Sequence, residues 1–297
     1  MDQLGNSRSC AGHTVLRNFL SEPRDKGTEF APVKIYINTD LEGVSDFVDW
    51  AEADIKTGRG IQYTKHFLTA EVNAAIRGIS AVYPEATFVV QDGHGGGYWG
   101  PNMIAEDLDR KAELIQGKRR VEIAGLDAHF DMMISIGAHA MAGTRYGLMN
   151  HTIGIDQIMN YWINDVKVGE IGIGAAIAGY YGVPFGMVSG DYWAVEEAKE
   201  LLGDIEGAAV KKGMNMYTAQ CLHPEVARER IAAAAQAAAE RIQQFKPLRF
   251  EAPFEIKIEY MKTSYADAAE FDRGGTRKDG RTVVFTGGDL LRVIQQA

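Results

Sequence analysis

Acidic and imidazole side chains lie at the ends of several hydrophobic, strand-like runs of this chain. In an open α/β sheet, ligands bind at the carboxyl ends of strands, where the loops converge. Carboxylates mixed with imidazoles suit a hydrolytic zinc or manganese site better than a structural one. The sequence therefore predicts one shared metal site, whose candidate ligands are Asp40, Glu42, His94, His139 and Glu170.

The first two candidates, Asp40 and Glu42, are separated by one residue. If the extended conformation continues through them, both side chains point to the same face. Two such carboxylates raise one another's pKa unless a cation lies between them. A metal pair bridged by one carboxylate would supply that charge, whereas the competing interpretation is an ordinary solvated turn.

A glycine-rich loop, DGHGGG at 92–97, directly follows a predicted strand. Its HGGG resembles the oxyanion loop of lipase-type esterases, but the G-x-S-x-G elbow that this chemistry needs is absent. The phosphate-binding pattern GxxxxGK[ST] is also absent. Two interpretations stay open: His94 is a metal ligand beside a backbone that can approach a substrate closely, or the loop is flexible surface.

Two more histidines lie beside apolar runs. His139 follows the run at 132–137 between small residues that leave room for a ligand, and His151 follows Leu-Met-Asn. Imidazole titrates near neutral pH, so either residue suits metal binding or proton transfer. A core histidine with satisfied hydrogen bonds is the competing interpretation for each.

Strand-like and helical patterns alternate along most of the chain, which is typical of a sheet covered by helices on both faces. We therefore predict an α/β fold with a central, mostly parallel sheet flanked by helices. The predicted strands are 33–39, 87–91, 132–137 and 185–189, with extended segments through 147–168 that turn at Asn164 and Asp165; the predicted helices are 61–80, 103–116, 170–181 and 193–202.

The pattern changes beyond residue 204, where a smaller α+β unit is expected. We predict three parts: a polar N-terminal extension at 1–32, an α/β metal-site domain at 33–204 and an α+β domain at 205–297. The elements predicted for the last part are helices at 225–244 and 288–296 and strands at 253–260 and 281–287.

Composition narrows the class of protein. A net charge of −9 argues against nucleic acid or an anionic membrane as a partner. The two cysteines, Cys10 and Cys221, form no CxxC pair, which argues against a disulfide framework and a thiolate zinc site. The chain contains no run of 18 apolar residues, so no transmembrane helix is predicted. No apolar stretch near the N-terminus is long enough for the core of a signal peptide. We expect a cytoplasmic protein.

Five motifs, taken in order, resemble the zinc-dependent D-aminopeptidase family that is associated with bacterial dipeptide-transport operons. Each motif is weak alone, but their order and spacing are specific, and the similarity runs from about residue 33 to the C-terminus. The motifs are TDLEG at 39–43, DGHG at 92–95, GAHA at 137–140, NHT at 150–152 and the segment from Ile163-Asn164 to Val168-Gly169-Glu170.

The resemblance implies a site with two zinc ions, for which manganese or cobalt could substitute. Asp40 would bridge the metals, Glu42 and His94 would complete one of them, and His139 and Glu170 would complete the other. His151 would be the catalytic residue, as nucleophile or general base. The family also forms a ring-stacked decamer with an internal chamber, so we expect a homo-oligomer that admits small peptides or amides.

Three residues are candidates for substrate binding. Tyr98 and Trp99 in the glycine loop are not part of the family pattern and would suit a flat or aromatic substrate. Asp191 could pair with a free amino group. The sequence thus predicts a two-metal hydrolase that cleaves an amide bond of small D-amino-acid peptides or amides. The alternatives are an amidohydrolase for a non-peptide amide, lactam or cyclic imide, and a non-catalytic protein that binds a metal or another ligand.

Overall fold

The computed structural model describes residues 32–53, 61–97, 100–118 and 122–297. The predicted N-terminal extension at 1–32 lies almost entirely outside the described residues. The strands are β1 (Lys34–Thr39), β2 (Thr87–Asp92), β3 (Ala112–Ile115), β4 (Met132–Ala138), β5 (Ile158–Ile163), β6 (Val166–Lys167), β7 (Phe185–Asp191), β8 (Glu206–Asn215), β9 (Thr218–Cys221), β10 (Phe254–Tyr260), β11 (Thr276–Arg277) and β12 (Thr282–Gly287).

Helices pack against these strands and against one another. Within the described ranges, no helix is long and apolar enough to cross a membrane. The helices are α1 (Ile61–Val82), α2 (Glu170–Tyr180), α3 (Tyr192–Leu202), α4 (Pro224–Glu240), α5 (Thr263–Phe271) and α6 (Leu290–Gln296).

Among the described residues, the central sheet has seven strands in the order β3-β2-β1-β4-β7-β8-β9. Its pairs run parallel, except for the antiparallel hairpin of β8 and β9. Buried strands such as β4, in which every residue is buried, read as continuous apolar runs because both faces are covered. The predicted α/β class with a mostly parallel sheet flanked by helices is confirmed.

A second, antiparallel sheet has five strands in the order β11-β12-β10-β5-β6. Asn164 and Asp165 connect β5 to β6 with φ of 45° and 66°. Two residues with positive φ form the two-residue turn that fits a twisted hairpin, so the predicted turn is confirmed.

Strand pairing crosses the predicted boundary at residue 204. The β8–β9 hairpin follows residue 204 but extends the central sheet, whereas the β5–β6 hairpin precedes it and joins the second sheet. The sheets therefore do not follow that division, and the three-part domain scheme stays a prediction.

One local prediction differs from the structure, and one hairpin of the structure has no counterpart among the predictions. The helix predicted at 103–116 is wrong, because this segment holds a single 3₁₀ turn (Ala105–Asp107) followed by β3. Pairing with the edge of β2 supplies the backbone hydrogen bonds that a helix would have supplied. The hairpin of β8 and β9 was not predicted, because the Gly and Lys residues of EGAAVKKGMN at 206–215 weaken its strand pattern.

Candidate metal centre

Three neighbouring strands of the central sheet end at the same edge and carry four of the candidate ligands. Asp40 and Glu42 follow β1, His94 follows β2, and His139 follows β4. Because β2, β1 and β4 are adjacent and parallel, their carboxyl ends meet. The predicted convergence therefore follows directly from the strand order.

Close backbone contact brings the loops after β1 and β4 together. The Gly43 N–H donates to the Gly137 carbonyl at 2.7 Å, and the Asp40 N–H donates to the Ile136 carbonyl at 2.8 Å. A Cβ atom at Gly43 would lie 2.1 Å from the Ala138 carbonyl oxygen, and one at Gly137 would lie 2.1 Å from that of Asp40. Gly137 also has a φ of +81°, so glycine is needed at both positions.

The first group of candidate ligands is Glu42 and His94, with the Asp40 carboxylate beside them. His94 Nδ1 lies 3.2 Å from Asp40 Oδ1 and 3.0 Å from Glu42 Oε2. Glu42 is buried, with 1% of its surface exposed, although it carries a carboxylate. Buried charge of this kind requires a partner, because desolvation of an isolated carboxylate is very costly.

The second group is His139, His151 and Glu170. Glu170 Oε1 lies 3.5 Å from His139 Nε2 and 3.7 Å from His151 Nε2. Glu170 is the first residue of α2, and the Ile153 N–H donates to its Oε1 at 2.7 Å. Within each group, one ligand atom from every residue lies within 4.8 Å of the others.

The Asp40 carboxylate lies between the two groups. Its Oδ1 faces His94, and its Oδ2 lies 3.2 Å from His139 Nε2. One carboxylate with an oxygen directed at each group has the arrangement of a bridging ligand. The structure thus brings together all five candidate ligands and His151.

Main-chain carbonyls orient two of the imidazoles. His139 Nδ1 lies 2.9 Å from the Ala140 carbonyl oxygen, and His151 Nδ1 lies 2.9 Å from that of Met149. A carbonyl only accepts hydrogen bonds, so each Nδ1 carries a proton and Nε2 is the ring nitrogen that remains for a cation. Hydrogen bonds of this kind are typical of histidines that bind metals.

Electrostatics at the site favour added positive charge. Burial lowers the pKa of His94 and of His139, but the nearby carboxylates outweigh this and hold both pKa values well above the usual one. Burial raises the pKa of Glu42, but His94 reverses the effect and the pKa is held well below its usual value. For Glu170, His139 and His151 likewise outweigh burial and lower the pKa to about 2.

The donor set fits zinc. His139 Nε2 is buried, and among the described residues it has no partner with hydrogen-bond geometry. A buried imidazole nitrogen surrounded by carboxylates is satisfied by a cation, either a proton or a metal ion. Nitrogen and oxygen donors are those that zinc binds, at about 2.0–2.2 Å.

Trp50 is a further residue of the site, and no pattern in the sequence indicates it. Its Nε1 donates to Glu42 Oε1 at 2.7 Å. Its ring also meets that of His151 edge to face, with centroids 5.7 Å apart. The only signal in the sequence is an aromatic residue eight positions after Glu42, and spacing alone does not reveal this contact.

Buried polar residues hold the loops that carry the site. Asp92 accepts hydrogen bonds from the Asn102 backbone N–H at 2.7 Å and side-chain Nδ2 at 2.8 Å, which closes the loop containing His94. The Glu197 carboxylate accepts from the Met141 N–H, two residues after His139, at 2.7 Å. Burial raises the pKa of Glu197 to about 7.

Of the three predicted substrate-binding residues, Asp191 is the one that the described part of the chain includes. Tyr98 and Trp99 lie outside the described residues. Asp191 is fully buried, and its oxygens accept hydrogen bonds from the Leu148 and Gly213 N–H groups at 3.0 and 2.8 Å. These contacts tie the segment before His151 to β8, so they give Asp191 a structural task; its predicted contact with a substrate stays a prediction.

Comparisons with known proteins find similar proteins over most of this chain. A family model described as D-aminopeptidase matches residues 33–297. A D-aminopeptidase of Bacillus subtilis (strain 168) is 34% identical over 272 residues, which cover 89% of this chain and 94% of that protein. A solved structure, that of the Zn-dependent D-aminopeptidase DppA from Bacillus subtilis, is similar to this chain with a TM-score of 0.83 and 30% sequence identity. The match covers 89% of this chain and 95% of the DppA chain, and DppA is described as a self-compartmentalizing protease.

Proposed function

Because this chain belongs to the D-aminopeptidase family, and is therefore a metal-dependent, peptide-cleaving hydrolase, we propose that it removes N-terminal D-amino acids from short peptides or amides with two zinc ions. The observation that carries the proposal is the position of Asp40 between two groups of donors. One group consists of Glu42 and His94, and the other contains His139 and Glu170.

The two zinc ions, when bound, would polarise the scissile carbonyl and lower the pKa of a water molecule so that hydrolysis proceeds near neutral pH. Asp40 would face both ions, while Glu42 and His94 hold one and His139 and Glu170 hold the other. Glu42 and His139 are buried, and the low dielectric around them would strengthen the electrostatic interactions at the reacting carbonyl.

His151 is the group we propose for proton transfer. Its Nδ1 proton is held by the Met149 carbonyl, so its Nε2 lone pair faces the site. Nε2 can therefore take a proton at the reacting centre and deliver it to the leaving nitrogen. This side chain is 11% exposed, so a substrate can reach it.

Hydrolysis assays together with metal analysis test the proposal. The purified protein, loaded with zinc, is assayed with matched D- and L-alaninamide, D- and L-alanyl dipeptides and a cyclic imide. We expect about two zinc ions per chain and faster hydrolysis of the D-substrates. Preferential cleavage of the cyclic imide would support the specialised amidohydrolase instead, and metal binding without turnover would support a binding protein.

We also propose that the chain forms a closed homo-oligomer, with a decamer as the specific expectation. The support is the description of DppA as self-compartmentalizing, together with the usual closed symmetry of soluble homo-oligomers. Light scattering coupled to size exclusion should give a mass ten times the chain mass of 32.6 kDa. A stable monomer would contradict the proposal.

A further inference from the structure

Two aromatic rings extend from the candidate metal centre towards solvent beside His151. The Trp50 ring meets His151 at 5.7 Å, and it meets the Tyr217 ring edge to face at 6.0 Å. Tyr217 remains 52% exposed. The result is a continuous row from the proton-transfer group to an exposed aromatic surface.

The indole of Trp50 and the backbone that carries Tyr217 are held by further contacts. The indole of Trp50 is fixed by its hydrogen bond to Glu42. Tyr217 lies in the turn between β8 and β9, where its N–H donates to Asn215 Oδ1 at 2.9 Å. That turn is docked onto the segment before His151, because the Met149 N–H donates to the Met216 carbonyl at 2.9 Å. The backbone that carries Tyr217 is therefore fixed beside the segment that leads to His151.

The position of His151 decides which part of a substrate lies against these rings. The scissile carbonyl must sit by the two donor groups, and His151 must reach the leaving nitrogen to deliver a proton. Trp50 and Tyr217 form a row beside His151, in which Trp50 also contacts Glu42 and Tyr217 is the exposed end. The atoms that come after the leaving nitrogen are therefore directed to the two rings.

We propose that Trp50 and Tyr217 form a subsite that binds an apolar or aromatic group on the leaving side of the scissile amide. This inference rests on the proposed function. Aromatic rings bind such groups through burial of apolar surface and through edge-to-face or offset stacking. The preferred substrates are short peptides whose second residue has a large apolar side chain.

Tyr217 is the residue to change, because Trp50 also contacts a candidate metal ligand. Tyr217→Ala should lower kcat/KM for D-alanyl-D-phenylalanine about three- to tenfold, the range of one aromatic contact. Hydrolysis of D-alaninamide, which has no side chain beyond the leaving nitrogen, should stay within about twofold. Because the contact is present in the bound ground state, the loss should appear mainly in KM.

Three controls accompany this variant. Tyr217→Phe keeps the ring and should retain the preference. Phe271→Ala removes another aromatic side chain, which lies at the end of α5 and is 78% exposed. This change should leave the hydrolysis of both substrates unaffected. D-phenylalaninamide places the ring before the scissile bond, so Tyr217→Ala should leave its hydrolysis nearly unchanged.

Other outcomes would overturn the inference in distinguishable ways. Equal losses on all substrates would give Tyr217 a structural role, and a loss confined to D-phenylalaninamide would place the subsite on the other side of the bond. A change in oligomeric mass in Tyr217→Ala would make the exposed ring an interface residue. If the unaltered protein cleaves none of these D-substrates, the proposed function fails and the subsite with it.

Discussion

The imidazole rings of His139 and His151 are stacked, with centroids 4.0 Å apart and planes inclined by 13°. Each ring is oriented by its own main-chain carbonyl, that of Ala140 or Met149, rather than by the other ring. Both Nε2 atoms face Glu170. Two similarly oriented histidines can therefore have different tasks, and substitution separates them.

The first prediction concerns His151. His151→Ala should reduce kcat at least about 100-fold, because it removes the group that we propose for proton transfer. Zinc content should stay nearly unchanged, because Asp40, His139 and Glu170 remain at the second group. Activity assays and elemental analysis of the same preparation check this. If zinc is lost together with activity, His151 is instead a metal ligand. The structure permits that role, because a ring nitrogen of His151 lies within 4.8 Å of the His139 and Glu170 donors.

The second prediction concerns Asp40. Asp40→Asn should lose both zinc and activity, because a neutral amide cannot supply a charged oxygen to each of the two donor groups. Elemental analysis after dialysis measures the metal. Asp46→Asn is the matched control, since Asp46 is an exposed acidic residue of the same loop. An Asp40→Asn protein that keeps two zinc ions would contradict the bridging role.

The third prediction concerns Trp50. Trp50→Phe removes the N–H that holds Glu42 Oε1, so zinc affinity should fall about 10- to 100-fold, as for other residues that orient metal ligands. Competition with a chromophoric chelator measures the affinity. Zinc addition should also change the fluorescence of the unaltered protein, and Trp50→Phe should lose that change.

Trp193→Phe provides the comparison for this experiment. It also removes an indole hydrogen bond, but one made to the Gly213 carbonyl in β8 rather than to a candidate ligand. Its zinc affinity should match that of the unaltered protein. Equal weakening in the two variants would show that the effect comes from general loss of packing.

The fourth prediction concerns Lys211, which is buried in β8. Its Nζ donates to the Val44 carbonyl at 2.6 Å and also to that of Phe47, in the loop after Glu42. Lys211→Met leaves both carbonyls without this donor and should lower the free energy of unfolding by about 1–3 kcal/mol at neutral pH. Urea unfolding of both proteins checks this, with exposed Lys212→Met as control.

Stability should also depend on pH through Lys211. Burial lowers its pKa from 10.5 to about 8 in the folded protein. Between these values the unfolded chain binds the extra proton, so stability is lower below pH 8 and rises as the pH increases towards 10.5. The unaltered protein should therefore gain roughly 3 kcal/mol relative to Lys211→Met across this window. A constant difference between the two proteins would contradict the assignment.

Local patterns in the sequence predicted most elements of the central sheet. The strands β1, β2, β4 and β7 are apolar runs with polar residues at their carboxyl ends, and burial on both faces makes such runs easy to recognise. The strand β3 was predicted as a helix, and β8 was not predicted. Each pairs in parallel with an earlier strand from which other residues of the chain separate it, and no local pattern reports this pairing.

The sequence by itself determined the residue types of the candidate site and their positions after strands, because a parallel sheet places all its carboxyl ends at one edge. Only the tertiary structure decided which donors face each other. The loop crossing at Gly43 and Gly137 directs the oxygens of Asp40 to different histidines, and the hairpin turn of Tyr217 reaches the same site from β8. These contacts join residues separated by tens to more than one hundred positions, and their geometry is set by how the loops pack.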